Sequence, residues 1–210
     1  DELNKIPFCG FNSLGITSDE ACTPFDRDRK GLNLGEGAGV LILEKKEIFS
    51  KRDIAPKLFV SGYGSASDAY HLTAPHPEGK GLKTAINEAL DQAKIEYKDI
   101  SFINAHGTST IDNDKVEGKV IKDVFGTDIK MVSTKGYTGH TLGAAGAIEA
   151  IFTALALKEG MIPKSAGFKN EDEYIGISPI KIKTKVHGQY ALSTSLAFGG
   201  NNAALVICKK

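Results

Sequence analysis

From Lys57 onward, apolar runs of strand length alternate with segments of helical period, and this constrains the fold more than any other feature of the chain. The spacing predicts strands at 57–65, 100–105 and 129–132, with helices at 81–93 and 112–125 between them. On the first helix, Leu82, Ala85, Ile86, Ala89 and Leu90 share one face. A third helix should open near His140 and run through Leu157 to Gly160, where glycine takes the left-handed cap and Pro163 prevents continuation. It is apolar almost all round and is expected to be buried, which leaves Glu149 in need of a partner, with Lys135 and His140 the local candidates. An alternating strand at 180–183 and a strand pair at 190–195 and 203–207 complete the pattern. Such alternation predicts a layered α/β domain around a mostly parallel sheet.

The first fifty residues are less regular. Gly35-Glu36-Gly37-Ala38-Gly39 precedes an apolar run at 40–44 that reads as a buried strand. Phosphate-binding glycines follow a strand and open a helix, so the order argues against a dinucleotide loop. The charged turns at 22–31 are expected to be exposed or to line an entrance, and the charged connector at 45–56 is the best internal boundary. Of the 210 residues 41% are apolar and 25% charged, with 26 basic and 26 acidic side chains, as in an ordinary soluble chain of one or two domains. That balance gives no case for nucleic acid or a membrane surface. No apolar run reaches the ~20 residues of a membrane helix. The start lacks both a methionine and a signal peptide, as expected of a fragment or processed chain. Cys9, Cys22 and Cys208 are scattered and odd in number, which points to a reducing cytoplasm; none has the basic surroundings of an activated thiol.

Ligands in such sheets sit beyond the carboxyl ends of the strands. His106, Lys135 with His140, and Phe198-Gly199-Gly200 each fall just after a strand, so three strand ends should converge on one crevice. Two imidazoles there can polarise one carbonyl oxygen or move a proton. Lys135 can set the local charge, and the Phe-Gly-Gly turn offers backbone N–H groups suited to an oxyanion. Either histidine alone reads more readily as a structural residue than as a catalytic one; the pair, each beside Gly and Thr, favours chemistry. Zinc on His106, His140 and Glu149 has no HxxxH or HExxH spacing behind it. Thr108, Ser109 and Thr110 could cap the next helix or bind a polar substrate arm. Asp114 and Glu117, three apart on one helix face, read by default as solvated charge, and more sharply as partners of Lys135. His71 and His76 lie in a loop fixed by Pro75 and Pro77, near an entrance.

These residues resemble a known family. Asn104-Ala105-His106-Gly107-Thr108-Ser109-Thr110, the run from Lys135-Gly136-Tyr137-Thr138-Gly139-His140 to Gly146, and Phe198-Gly199-Gly200-Asn201-Asn202 look like three signatures of the β-ketoacyl-acyl-carrier-protein synthases, elongating condensing enzymes of the thiolase superfamily. Asn33 to Gly39 and Asp68-Ala69-Tyr70-His71-Leu72-Thr73 are similar to further family segments, and the match runs in order along nearly the whole chain. The resemblance implies a thiolase-like layered fold. Residues 1–50 would be the tail of its N-terminal half, and 51–210 its C-terminal half. It implies that His106 and His140 stabilise decarboxylation of malonyl-carrier-protein and the resulting enolate. Lys135 would tune the site, with Glu149 and Glu117 as charge partners. Thr108, Thr110 and Thr73 would bind the phosphopantetheine arm. The Phe198 N–H would form half of an oxyanion hole beside Gly199, its ring gating the acyl pocket. It further implies acyl carrier protein as partner, a homodimer, and no metal or cofactor beyond the phosphopantetheine that the substrate carries.

Some positions depart from the family pattern. The nucleophilic cysteine belongs to a segment that would precede this chain, and no residue here corresponds to it. Alone, the chain is expected to form no acyl-enzyme, to expose an apolar face and to aggregate or dimerise. Ala197 stands in the gate loop where glycine is usual, Asn201 where threonine is usual, and Ile111 where proline is usual. The alternative function is a non-catalytic partner subunit similar to the chain-length factors of polyketide systems, against which the joint presence of His106, His140 and Lys135 argues. A thiolase-type enzyme acting on acyl-CoA is a further alternative.

Overall fold

A computed structural model describes residues 1–49 and 58–210. Helices α1 (Lys5–Ser13) and α2 (Lys46–Phe49) precede the first strand; from residue 50 onward the expected connector lies outside the described residues. Then follow β1 (Leu58–Ser67), α3 (Lys80–Ala93), β2 (Ile100–Asn104), α4 (Ile111–Phe125), β3 (Lys130–Val132), α5 (Lys135–Thr138) and α6 (Ala145–Glu159). The chain ends with β4 (Met161–Ile162), β5 (Thr184–Lys185), β6 (Tyr190–Ala197) and β7 (Asn201–Lys209).

Five strands form one sheet in the order β1-β7-β6-β2-β3. The β6–β2 and β2–β3 pairs are parallel, whereas β1–β7 and β6–β7 are antiparallel. The sheet is therefore mixed rather than mostly parallel, because the short Phe198–Gly200 turn joins β6 to β7 as a hairpin. Side chains alternate across it with period two. Ile103, Leu192 and Val206 stand in register on one face and pack with α3 and α4; Phe102, Ala191 and Ile207 face α6. Helix α3 lies close over β1 because Gly62 and Gly64 have no Cβ; one built there would strike the carbonyls of Ala89 and Ala85.

Five further sequence expectations change. The third helix does not open at His140: α5 ends at Gly139, Leu142 takes a left-handed φ of 53°, and α6 starts only at Ala145. Nor is α6 buried all round, since Phe152 and Leu155 remain exposed. Residues 40–44 form no strand; Val40 is 83% and Ile42 87% exposed, because no strand in the described chain pairs with them. The 180–183 run is likewise not a strand. The Ile180 N–H donates to Met131 O and its carbonyl accepts from Ser165, and the short β5 forms just beyond. The turns at 22–31, expected to be exposed or to line an entrance, bury Cys22, Phe25, Asp26 and Arg29, while Lys30 and Gly31 line a cavity.

Candidate active site

The sheet delivers three turns to a common cavity of about 620 Å³. Beyond β2, the backbone N–H groups of His106 and Gly107 donate to the two oxygens of Glu117, both at 2.8 Å, and the Thr194 hydroxyl donates to the same carboxylate at 2.7 Å. Asp114, one turn earlier on α4, accepts from Ser109 N at 3.2 Å and Phe25 N at 2.7 Å. Both carboxylates are fully buried, which corrects the solvated reading of this pair. Burial raises both, Asp114 to about 6, while the hydrogen bonds they accept act in the opposite direction. Glu117 holds the backbone of the histidine turn and makes no direct bond to Lys135.

Lys135 begins α5 and is 1% exposed. Its ammonium pairs with Glu149, bonds the His106 carbonyl at 2.6 Å and lies 3.0 Å from His106 Nδ1. The ammonium thus holds the position between His106 and Glu149 that a metal would need. Burial raises the Glu149 carboxyl, and Lys135 opposes that rise.

His140 stands edge-on to His106, with ring centroids 5.2 Å apart and planes at 86°. Its peptide is clamped by the N-terminal tail: His140 N donates to Asn33 O at 2.7 Å, and Gly35 N donates to His140 O at 3.0 Å. A Cβ at Gly35 would collide with the Thr138 carbonyl, and one at Gly39 would press on the Ile148 backbone. Close packing against α5 and α6, rather than phosphate binding, therefore explains the glycines at 35–39.

Both imidazoles are neutral at pH 7. Burial, then the Lys135 charge, carries His106 well below 6.5 and His140 to about 3. The Nδ1 of His106 faces the Lys135 ammonium, and that of His140 accepts from Leu142 N at 3.2 Å. Donors at both Nδ1 atoms place the remaining proton of each ring on Nε2. The site therefore carries two neutral N–H donors in one cavity.

Thr108, Thr110, Thr73 and Phe198 also line this cavity, as do the small residues Gly143, Ala145 and Gly146. The Thr108 and Thr110 hydroxyls bond each other at 2.9 Å, and Thr110, though at the N-terminus of α4, makes no side-chain cap. Gly199 is not among the cavity residues: its N–H is spent on Leu72 O at 2.7 Å, tying the Phe198–Gly200 turn to the 68–77 loop. His187 lies on the exposed surface and His71 is exposed in that loop.

Sequence reasoning missed four contributors. Phe11 of α1 stacks on Phe198 with centroids 5.6 Å apart. Asp68 accepts from His76 N and Gly81 N and donates its own N–H to Gly200 O, so it organises the loop beside the Phe198–Gly200 turn. Asn33 clamps His140, and Arg29 reaches the carbonyls of Thr110 and Ile111. Asp68 and Asn33 fall in segments that resemble the family, which is the available signal; Phe11 and Arg29 depend on tertiary contacts.

Residues 58–169 match the model of the β-ketoacyl synthase C-terminal domain, and residues 2–48 that of the N-terminal domain. The chain is 43% identical over 216 residues to 3-oxoacyl-[acyl-carrier-protein] synthase 2 of Staphylococcus aureus, covering 99% of this chain and 52% of that protein. It is 42% identical to the mitochondrial 3-oxoacyl-[acyl-carrier-protein] synthase of Arabidopsis thaliana, across 93% of this chain and 43% of that one. Among solved structures, the ishigamide ketosynthase/chain length factor superposes with a TM-score of 0.95 at 36% identity, over 100% of this chain and 52% of that one. A β-ketoacyl synthase from Burkholderia phymatum gives 0.92 at 32%, over 100% and 53%. The chain spans about half the length of the curated relatives it matches. Its fold is that of the thiolase-like ketosynthases, and the chain belongs to the β-ketoacyl synthase family.

Proposed function

We propose that this chain supplies the decarboxylation and oxyanion machinery of a condensing acyltransferase of fatty-acid or polyketide biosynthesis. The observation that carries the reading is the pair of neutral imidazoles, 5.2 Å apart, whose Nδ1 atoms are both occupied. In the proposed reaction the malonyl carboxylate leaves as CO2, and the electron pair of the broken C–C bond moves into the thioester. The enolate oxygen so formed accepts hydrogen bonds from the two Nε2–H groups. The enolate carbon then attacks the acyl thioester held on a cysteine, and the thiolate departs with the electron pair of the C–S bond. The Phe198 N–H would stabilise the oxyanion of that step. The Thr108, Thr110 and Thr73 side chains would bind the phosphopantetheine arm of the acyl carrier protein.

The cysteine would come from an N-terminal segment outside this chain, which alone would be inactive. A groove of about 600 Å³ between β2, β3 and α6 supports that division. Phe102, Val132, Phe152 and Leu155 line it, and it also contains Asn104 and Thr134, whose buried Oδ1 and Oγ1 lack hydrogen-bond partners among the described residues. Parallel strands are normally covered on both faces, so a further helix beside α6 would complete the layer. We assign residues 1–50 to the tail of the N-terminal half and 51–210 to the C-terminal half. The complete protein would be a homodimer in a reducing compartment such as the cytoplasm; no described helix is long and apolar enough to cross a membrane.

Assay of the complete protein with acyl- and malonyl-carrier-protein tests the reading. Ketoacyl product from the protein alone, abolished by His106→Ala, is the expected result. Product formation only after addition of a separate ketosynthase would instead mark a chain-length-factor-like partner.

A further inference from the structure

Arg29 lies outside the imidazole–lysine cluster, yet it joins three distant parts of the chain. Its buried guanidinium donates to Thr110 O at 3.3 Å, Ile111 O at 3.1 Å, Asp26 O at 2.9 Å and Asp172 Oδ2 at 2.6 Å. Asp172 is itself fixed, accepting Tyr174 N on its other oxygen. The two carbonyls held by Arg29 lie at the exit of the turn that carries Thr108 and Thr110 into the cavity. Between those threonines, Ser109 has a φ of 69°, a costly conformation for a non-glycine residue that persists only where its surroundings impose it. Thr23 N bonds the Ser109 hydroxyl and Asp114 accepts the Ser109 N–H, but Arg29 holds the turn's carbonyls. A planar fork can meet four acceptors in different directions, which a lysine cannot. A buried ion pair is also weak evidence of a purely stabilising role.

Resting on the condensing reading above, we infer that Arg29, paired with Asp172, is a positioning residue for the pantetheine arm. It sets the place at which the Thr108 and Thr110 hydroxyls meet the arm's amides. It therefore governs capture of carrier-borne malonyl rather than the chemistry at the two imidazoles.

The test is steady-state kinetics of the complete protein carrying Arg29→Lys or Asp172→Asn, with malonyl-carrier-protein and with a malonyl thioester truncated before the pantetheine amides. Asp172→Asn keeps size and an acceptor oxygen, and it decides the question if Arg29→Lys lowers the melting temperature. The expected result is a KM for malonyl-carrier-protein raised about tenfold with kcat little changed. The truncated substrate should be used as well as by the parent, and adding Arg29→Lys or Asp172→Asn to Thr110→Val should raise KM no further. Equal losses on both substrates, or an unchanged KM, would overturn the inference while leaving the condensing reading intact. A parent protein that makes no ketoacyl product would sink both.

Discussion

The Lys135 ammonium lies 3.0 Å from Nδ1 of His106 and bonds the carbonyl of the same residue at 2.6 Å, while its charge is met by Glu149. One cation thus fixes the tautomer, the backbone and the electrostatic setting of one imidazole, and its field reaches the second.

Removing one member of a buried pair strands the other. Lys135→Met should destabilise the protein by about 3–5 kcal/mol, read as a lower urea midpoint at unchanged m-value. Replacing Glu149 by Met as well should recover most of that loss. A single variant within about 1 kcal/mol of the parent would show that the pair is not buried as described.

The depressed His140 value has a definite sign in stability. The unfolded chain binds a proton at this ring near pH 6.5, the folded chain only at about 3, so stability present above 6.5 is lost as pH falls through that window. Relative to His140→Gln, the parent should lose about 2 kcal/mol between pH 7.5 and pH 5. Parallel urea midpoints for the two proteins across that range would contradict the assignment.

The N-terminal tail is part of the site because Asn33 and Gly35 bracket the His140 peptide. Gly35→Ala would push a methyl into the Thr138 carbonyl, for a cost of about 1–3 kcal/mol. It should also shift the His140 ring resonances, whereas Gly10→Ala, with open space around it, should leave them in place. Identical behaviour of the two variants would detach the tail from the site.

Much of the site could be read from the sequence because the strand-to-turn positions are local: His106, Lys135, His140 and Phe198 each follow an apolar run. What could not be read depends on partners distant in sequence. Asp114 and Glu117 looked solvated because helical spacing cannot reveal that the N–H groups of Phe25, His106, Gly107 and Ser109 converge on them. The same limit hid the burial of Arg29. The apolar run at 40–44 carried a genuine strand pattern, but a strand needs a neighbour, and none of the described strands adjoins it. Gly139 and the left-handed Leu142 broke a helix whose composition alone suggested continuity.

Long-range proton–nitrogen NMR of the complete protein labelled at histidine reads directly whether two neutral imidazoles each present Nε2–H to one cavity. The neutral Nε2–H pattern is expected for His106 and His140 at pH 7, with His140 still neutral at pH 5. An Nδ1–H tautomer at either ring, or an imidazolium near pH 6, would contradict it.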